Sequence, residues 1–339
     1  LDTKERILVT GGAGFIGSEL VHQLSLSGAE VIAVDNLVNG RRENIASVLS
    51  DRVEFVQADI RDAGLMEQCM QGVDRVFHLA CLGVRHSLHS PHENHAVNAS
   101  GTLTLLSSAR AAGVKRFVYV SSSEVYGTAQ RVPIAEDHPT FPMTVYGASK
   151  LAGECYARAF YQSYAFPMVV VRPFNSYGPR CHHEGDSGEV IPKFLLRGLA
   201  GQPMVIFGDG RQTRDFTYVA DTARGILSAG FAAHVLGETI NLGSGKEISL
   251  NALAREITRT IARPDAAINY QAGRPGDVLR LCAATQKARR LLHFKPEVSF
   301  EHGLVRLMDW YADKACTAEK LLESEIVCNW KNQQVHVHV

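Results

Sequence analysis

Two groups of residues in this chain have the types and the spacing that do chemistry. The first is residues 7–17, Ile-Leu-Val-Thr-Gly-Gly-Ala-Gly-Phe-Ile-Gly, an apolar run that turns through glycines into a helical pattern. A strand that breaks into glycine and then into a helix makes a phosphate cradle. Gly11 permits the tight turn, Gly14 lets the backbone approach a pyrophosphate, and Gly17 lets the helix pack closely on the strand. The amides that open the helix, at Phe15 and Ile16, then face the phosphates with the positive end of the helix dipole behind them. The second group is the polar loop Ser121-Ser122-Ser123-Glu124-Val125-Tyr126-Gly127, followed by Tyr146 and Lys150. Those two lie four apart in a helical pattern, so a phenol and an ammonium share one helix face.

A second apolar run, residues 31–34, ends in Asp35. That acid lies near the offset of roughly 20 residues expected of a ribose-binding carboxylate. It would accept hydrogen bonds from the adenosine ribose hydroxyls and repel a 2′-phosphate, so the pattern reads as NAD rather than NADP. Arg41 and Arg42, slightly downstream, point the other way. Asn36, next to Asp35, joins the cofactor set.

The elements that must position these groups alternate. Residues 53–57 form a third strand pattern, followed by Asp59 and Ile60. Asp59 is a candidate for the adenine amino group, or else serves the helix that starts near Asp62. Residues 76–79 form a fourth, ending in Leu79 and Ala80, whose small neighbourhood would line a cofactor crevice. A helix follows over residues 98–112, then strands over 117–120 and 168–171. Strand and helix in repetition predict a doubly wound parallel sheet of the Rossmann type, with its ligand crevice at the carboxyl ends of the strands. Beyond Tyr177 the alternation breaks. Shorter segments, among them 191–200, 205–207, a helix from Asp221, 239–242 and 250–261, read as a smaller α/β C-terminal lobe interleaved with the first. The chain thus divides into residues 1–177, 178–330 and a tail, 331–339.

Lys plus Arg and Asp plus Glu number 35 each, which leaves no global field for nucleic acid or an anionic membrane. With 45% apolar residues the chain builds a sizeable core, yet no apolar run reaches the length of a membrane span. The opening is polar, without a signal-peptide pattern, and it starts at Leu1 as a trimmed chain would. Seven scattered cysteines, an odd number, fit a reduced cytoplasm better than a disulfide frame. Cys181-His182-His183-Glu184 lacks a second ligand pair at metal spacing, so no metal is expected and the segment reads as a mobile polar loop. His336 and His338 in the tail are given no role.

Taken together, Thr10-Gly11-Gly12-Ala13-Gly14-Phe15-Ile16-Gly17, the Ser122 loop, Tyr146-x-x-x-Lys150, Arg172-Pro173-Phe174-Asn175, Arg214-Asp215-Phe216-Thr217-Tyr218-Val219 and Arg274-Pro275-Gly276-Asp277 resemble an extended short-chain dehydrogenase/reductase of the nucleotide-sugar epimerase/dehydratase type. The motifs span nearly the whole chain in the family's order. The resemblance implies an NAD-dependent enzyme with its cofactor on residues 1–177 and its nucleotide sugar mainly on residues 178–330. It implies Tyr146 as the base that takes the proton of a sugar C4 hydroxyl, Lys150 on the nicotinamide ribose, and Ser122 on the reacting oxygen. Free tyrosine titrates near about 10, and lowering it by roughly three units takes about 4 kcal/mol. One ammonium at roughly 4 Å supplies about that much at an effective dielectric near 20, so Lys150, helped by the positive nicotinamide ring, suffices in principle.

By the same resemblance Asn175 contacts the substrate, Arg214 and Arg274 the diphosphate, and Asp277 the ribose. Arg85 and Ser87, in the loop after the fourth strand, face the sugar. The following step turns on Ser123 and Glu124. The family's dehydratases carry an acid at the second position, and its uronate decarboxylases carry Ser-Glu here, whereas simple 4-epimerases usually lack the carboxylate. The expectation is a UDP-sugar 4,6-dehydratase, a lyase of carbohydrate biosynthesis. The alternatives are a UDP-sugar 4-epimerase, an isomerase, or a UDP-glucuronate decarboxylase. A non-catalytic NAD-binding sensor is the alternative of another class. The family's pairing helices imply a homodimer, here through the helices carrying Asn98 and Tyr146.

Overall fold

Short runs rich in Val, Ile and Phe, apolar on both faces, become the strands of one buried parallel sheet. The computed structural model describes residues 4–185, 187–273 and 278–328. Arg274 and Asp277 and the tail with His336 and His338 lie outside the described residues. In chain order the strands are β1 (Arg6–Thr10), β2 (Glu30–Asp35), β3 (Val53–Gln57), β4 (Arg75–His78), β5 (Arg116–Val120), β6 (Met168–Pro173), β7 (Asn175–Tyr177), β8 (Met204–Phe207), β9 (Thr213–Arg214), β10 (Phe216–Tyr218), β11 (Thr239–Leu242), β12 (Ile248–Ser249) and β13 (Ile268–Gln271). The helices are α1 (Phe15–Ser25), α2 (Ala63–Cys69), α3 (Val84–His89), α4 (Pro91–His95), α5 (Thr102–Ala111), α6 (Val145–Tyr164), α7 (Val190–Leu199), α8 (Val219–Phe231), α9 (Leu250–Thr260), α10 (Gln286–Leu292), α11 (Phe300–Ala312) and α12 (Ala318–Leu322).

The seven-stranded sheet runs β11-β6-β5-β4-β1-β2-β3, and its pairings are all parallel. This is the doubly wound order, extended by β11 at one edge, with its switch point between β1 and β4. Residues 239–242, expected among the second-lobe segments, therefore belong to the main sheet. Their Thr-Ile-Asn-Leu pairs with 170–173 because β6 offers an apolar edge that a further strand can cover. One face of the sheet is packed by α1 and α8 through Leu20, Leu24 and Ile226, the other by α5 and α6 through Leu105, Leu106 and Ala157. A third core, with Phe194, Leu196, Ile206, Leu253, Leu304 and Tyr311, holds α7, β8, α9 and α11 together.

Two departures from the sequence expectation lie next to the crevice. Residues 84–87, expected as a loop, open the short helix α3. The helix expected over 98–112 starts earlier, and residues 96–101 form a π-helical turn before α5. That turn aims Asn98 back at the end of β4. Its amide oxygen accepts from Leu82 N at 2.8 Å, and its amide nitrogen donates to Leu82 O at 2.9 Å. Wide turns of this kind occur where a helix must re-aim a side chain.

A buried hydrogen-bond chain fixes the same corner. The Thr102 hydroxyl donates to Asn98 O, so its oxygen accepts from His78 Nε2–H. His78 Nδ1 is then the acceptor for the Thr10 hydroxyl at 2.7 Å, and Thr10 in turn accepts the Ala80 amide. Burial pushes the His78 imidazole well below its usual range, in keeping with this neutral tautomer.

Beneath the polar loop after β5 lies a buried ion pair. Arg172 on β6 grips Glu154 on α6 with two parallel hydrogen bonds, of 2.8 and 2.6 Å, and the side chains are 3% and 0% exposed. Ser121 donates to the same carboxylate at 2.5 Å, while Arg172 also donates to the Tyr126 hydroxyl at 2.8 Å. Tyr126 donates to Asn241 Oδ1 on β11. One carboxylate thus joins α6, the start of the loop and the sheet. Replacing Glu154 by Ala strands a buried guanidinium, and urea unfolding should register a loss of about 3–5 kcal/mol. The double replacement Glu154→Leu, Arg172→Met should recover most of that loss, since no buried guanidinium is left stranded.

Candidate active site

The carboxyl ends of β1, β2, β4, β5 and β6 open on one cleft of about 510 Å³, roofed by the second lobe. At one end β1 turns into α1. Gly11 takes φ +69°, and a Cβ there would press on the Ala80 backbone nitrogen at 2.7 Å. Gly14 is the N-cap of α1, and no side chain caps the helix. The first-turn amides are left to a ligand, as an anion site at a helix start requires. Gly11, Gly14, Phe15, Ile16, Gly17, Asp35, Asn36, Ile60, Leu79 and Ala80 all line the cleft. Asp35 is 7% exposed and accepts the amides of Leu37 (2.8 Å) and Ala13 (3.1 Å), which ties the glycine turn to the end of β2. The residues present fit a dinucleotide: an uncapped helix start, an acid at the end of the second strand, and a trough of small residues between them.

Asp59, the candidate for the adenine amino group, has protein partners of its own. Arg61 clamps it through Nε and Nη2 at 2.9 and 2.7 Å, Asn36 donates to it at 3.1 Å, and its neighbours Ala58 and Ile60 line the cleft. The hydrogen bond from Arg61 leads the causes that hold its carboxyl down at about 2. The cap of α2 is supplied by Asp62, which accepts from Leu65 N.

Ser122, Ser123, Glu124, Tyr146 and Lys150 line the same cleft as Leu79 and Ala80. Thr144 caps α6 and sets its first turn. Ser122 caps the turn that carries Ser123 and Glu124, accepting from Glu124 N at 3.2 Å. The Lys150 ammonium is buried at 2% exposure, donates to Val120 O at 2.6 Å and lies 4.8 Å from the Tyr119 ring centre. Burial lowers its pKa, with Cys81 and Glu154 opposing.

The expected lowering of the Tyr146 phenol is not what the protein's own groups produce. Burial dominates and raises it, the Cys81 thiol adds to the rise, hydrogen bonding from Ser122 offsets part, and Glu124 raises it further. Without an added positive charge the phenol stays protonated at neutral pH. The base role therefore depends on cationic help beyond Lys150, and the oxidised nicotinamide carries such a charge.

Asn175, at the start of β7, lines the same cleft, and its Oδ1 is buried with no hydrogen-bond partner among the described residues. A buried acceptor of this kind calls for a donor on a ligand. Arg85 and Arg214 line the cleft, and Arg214 Nη1 is steadied by the carbonyls of Thr213 (2.8 Å) and Val278 (2.7 Å). Ser87 is buried and donates to Val84 O at 2.6 Å, so its hydroxyl serves α3 instead of the cleft.

Several cleft residues escaped the sequence reading. Residues 181–185, expected as a mobile loop, are latched: Glu184 bonds Arg41 at 2.7 Å and lies within 3.5 Å of His182 and 3.2 Å of His183. No cluster among the described residues has the makings of a metal site. From this loop α7 sends Glu189, Lys193 and Arg197 into the cleft at i, i+4 and i+8, a stripe legible from spacing alone. Burial pushes the Glu189 carboxyl up to about 7, against the pull of His182 and Arg85, with Glu184 adding to the rise. Burial brings Lys193 down to about 8.

Comparison with known proteins bears on this arrangement. The family model described as GDP-mannose 4,6 dehydratase matches residues 8–307. A putative UDP-glucose 4-epimerase of Methanocaldococcus jannaschii is 39% identical over 307 residues, covering 90% of this chain and 97% of that protein. UDP-glucuronic acid decarboxylase 1 of Arabidopsis thaliana is 33% identical, covering 91% of this chain and 70% of that protein. The dTDP-glucose 4,6-dehydratase of Streptomyces venezuelae, solved with NAD bound, superposes with a TM-score of 0.86 at 36% identity, covering 91% of this chain and 97% of the other.

The charges of the α7 stripe set a pH dependence. Below about 7 Glu189 is neutral, and below about 8 Lys193 is cationic. His182 is raised by Glu184 and Glu189 against the effect of its burial, and it too loses positive charge as pH rises. Each step makes the cleft more negative. Titration with an anionic probe, inorganic pyrophosphate, in a calorimeter should show affinity falling by roughly three- to tenfold between about pH 6 and about pH 9. Glu189→Gln should remove the lower step and leave the one near about 8.

Proposed function

Since the chain belongs to the NAD-dependent extended short-chain dehydrogenase/reductase family of nucleotide-sugar epimerases, dehydratases and decarboxylases, we propose that it oxidises a UDP-sugar at C4 and then dehydrates the 4-keto sugar. The observation that carries the reading is the meeting of Tyr146, Lys150, Ser122 and Glu124 on one cleft whose far wall holds an unsatisfied Asn175 acceptor. NAD, when bound, supplies the hydride acceptor. Tyr146 takes the C4 hydroxyl proton, and Ser122 holds the reacting oxygen. Lys150 stabilises the phenolate from beneath, fixed to the Val120 carbonyl.

The 4-keto group acidifies the C5 hydrogen. Glu124, one residue past Ser123, removes that proton and assists departure of the C6 hydroxyl. With hydride restored at C6 and C5 regaining a proton in balance with the one Tyr146 took from O4, the net change would be loss of water, the redox chemistry being what NAD would supply. Asn175 and Arg85 hold the sugar. Arg214, with Arg274, holds the diphosphate through donors arranged for phosphate oxygens, and Asp277 holds the ribose. The surface of α5 and α6, where Leu103 and Tyr164 are exposed, is assigned to a homodimer.

A second reading, 4-epimerisation, is favoured by the 39% identity to a putative UDP-glucose 4-epimerase. It needs no acid at Glu124, because the ketose turns over and takes its hydride back on the other face. Mass spectrometry of products from a panel of UDP-sugars separates the readings. Loss of water is expected; an unchanged mass with a new isomer means epimerisation, and loss of carbon dioxide means decarboxylation. Glu124→Gln should cut water loss by about 10²-fold or more while C4 oxidation persists. Undiminished dehydration by that variant would remove Glu124 from the mechanism.

A further inference from the structure

The chain beyond α12 runs back across the substrate lobe. Gly185 donates its amide to Ser324 O at 2.8 Å, beside a parallel bridge between Gly185 and Glu325. Glu325 grips Arg197 of α7 through Nε at 3.1 Å and Nη2 at 2.8 Å, with only 6% and 12% of the two side chains exposed. Lys193 Nζ donates to Ile326 O at 2.8 Å, and Cys328 Sγ lies 3.8 Å from Gln271 Oε1 on β13. The segment is therefore tied to three elements: the loop after Cys181, α7, and the β8–β13 pair. Glu325 and Val327 line the cleft together with Val205, Phe207 and Leu250. Residues 324–328 themselves lie beyond residues 8–307, the part matched by the family model.

The chemistry of this end of the cleft differs from that around Arg214. Arg197 is paired bidentately with an acid, which offsets its charge, and one donor of the Lys193 ammonium is taken by a carbonyl. Phe207, Val205, Leu250 and Val327 are apolar. Apolar walls with a few satisfied polar groups behind them suit a flat neutral ring rather than an anion.

We propose that residues 324–327 form the outer wall of the nucleoside subsite, with Val327 closing the apolar slot over the base and Glu325 holding α7 in place through Arg197. The assignment rests on the reading that a nucleoside diphosphate sugar occupies this cleft. Glu325 is a positioning residue: it acts through α7 on the ligand. Val327 is the wall itself.

The test uses the full chain loaded with NAD and UDP as the probe, titrated in a calorimeter. Glu325→Ala should weaken UDP about tenfold or more, as loss of one partner of a buried charge pair does. Val327→Trp should abolish UDP binding by filling the slot. In both variants NAD affinity should hold, which also reports that the chain is folded. With nucleotide sugar, KM should rise far more than kcat falls. UDP affinity equal to wild type in both variants would overturn the wall, and so would tighter binding by Glu325→Ala, the signature of a plug. If the wild-type chain binds NAD but no UDP, the substrate reading itself fails. That outcome is distinct from wild type binding UDP while the variants match it.

Discussion

A lysine ammonium buried beneath the polar loop is the constraint from which the rest of the site follows. Lys150 is 2% exposed, and taking such a charge out of water is costly unless its surroundings compensate. Three groups do so: the Val120 carbonyl at the end of β5, the Tyr119 ring, and the Glu154 carboxylate one turn further along α6. Because Glu154 is itself held by Arg172 and Ser121, the helix cannot slide along the sheet without breaking a buried ion pair. Tyr146, one turn before Lys150, is delivered to the cleft as a consequence. Tyr146, Lys150 and Glu154 occupy i, i+4 and i+8 of one helix face, so ligand chemistry, charge and anchoring lie in line.

The parts of this arrangement that were legible in the sequence are those with a local signature. The glycine turn, Asp35 at the end of β2 and the order of the six leading strands each rest on periodicity and turn residues within a short window. What escaped depends on pairing across long separations. Arg41 and Glu184 are 143 residues apart, and their contact converts a segment that reads as a polar loop into a latched one. Arg197 and Glu325 are 128 apart, and no property of either residue alone announces the other. Residues 239–242 carry an apolar run too short to say which sheet takes them, and only the free edge of β6 decides it. The π-helical turn at 96–101 is invisible to a helical-periodicity reading, because it alters where a side chain points more than which residues are apolar. Arg61 clamps Asp59 from only two residues on, and no periodicity announces that pairing.

Electrostatics divide the cleft into regions of distinct work. Around Tyr146, burial raises the phenol and lowers the ammonium, and a positive ring nearby would favour the phenolate. Along α7 the acid and the two bases of the stripe are spaced one turn apart, and the segment beyond α12 engages the two bases. Arg85, Arg214 and Asn175 line the same cleft and add two guanidinium groups and an unsatisfied amide oxygen to it.

The account stands or falls on Tyr146 as the group that unloads the C4 hydroxyl. Its most direct test is rapid mixing of NAD-loaded protein with the turned-over UDP-sugar, following reduced-nicotinamide absorbance over the first turnover at several pH values. Wild type should show a transient whose rate rises with pH through a single ionisation. Tyr146→Phe, still binding NAD and UDP, should form it at least about 10²-fold more slowly and without that pH dependence. A Tyr146→Phe transient at the wild-type rate would contradict the account.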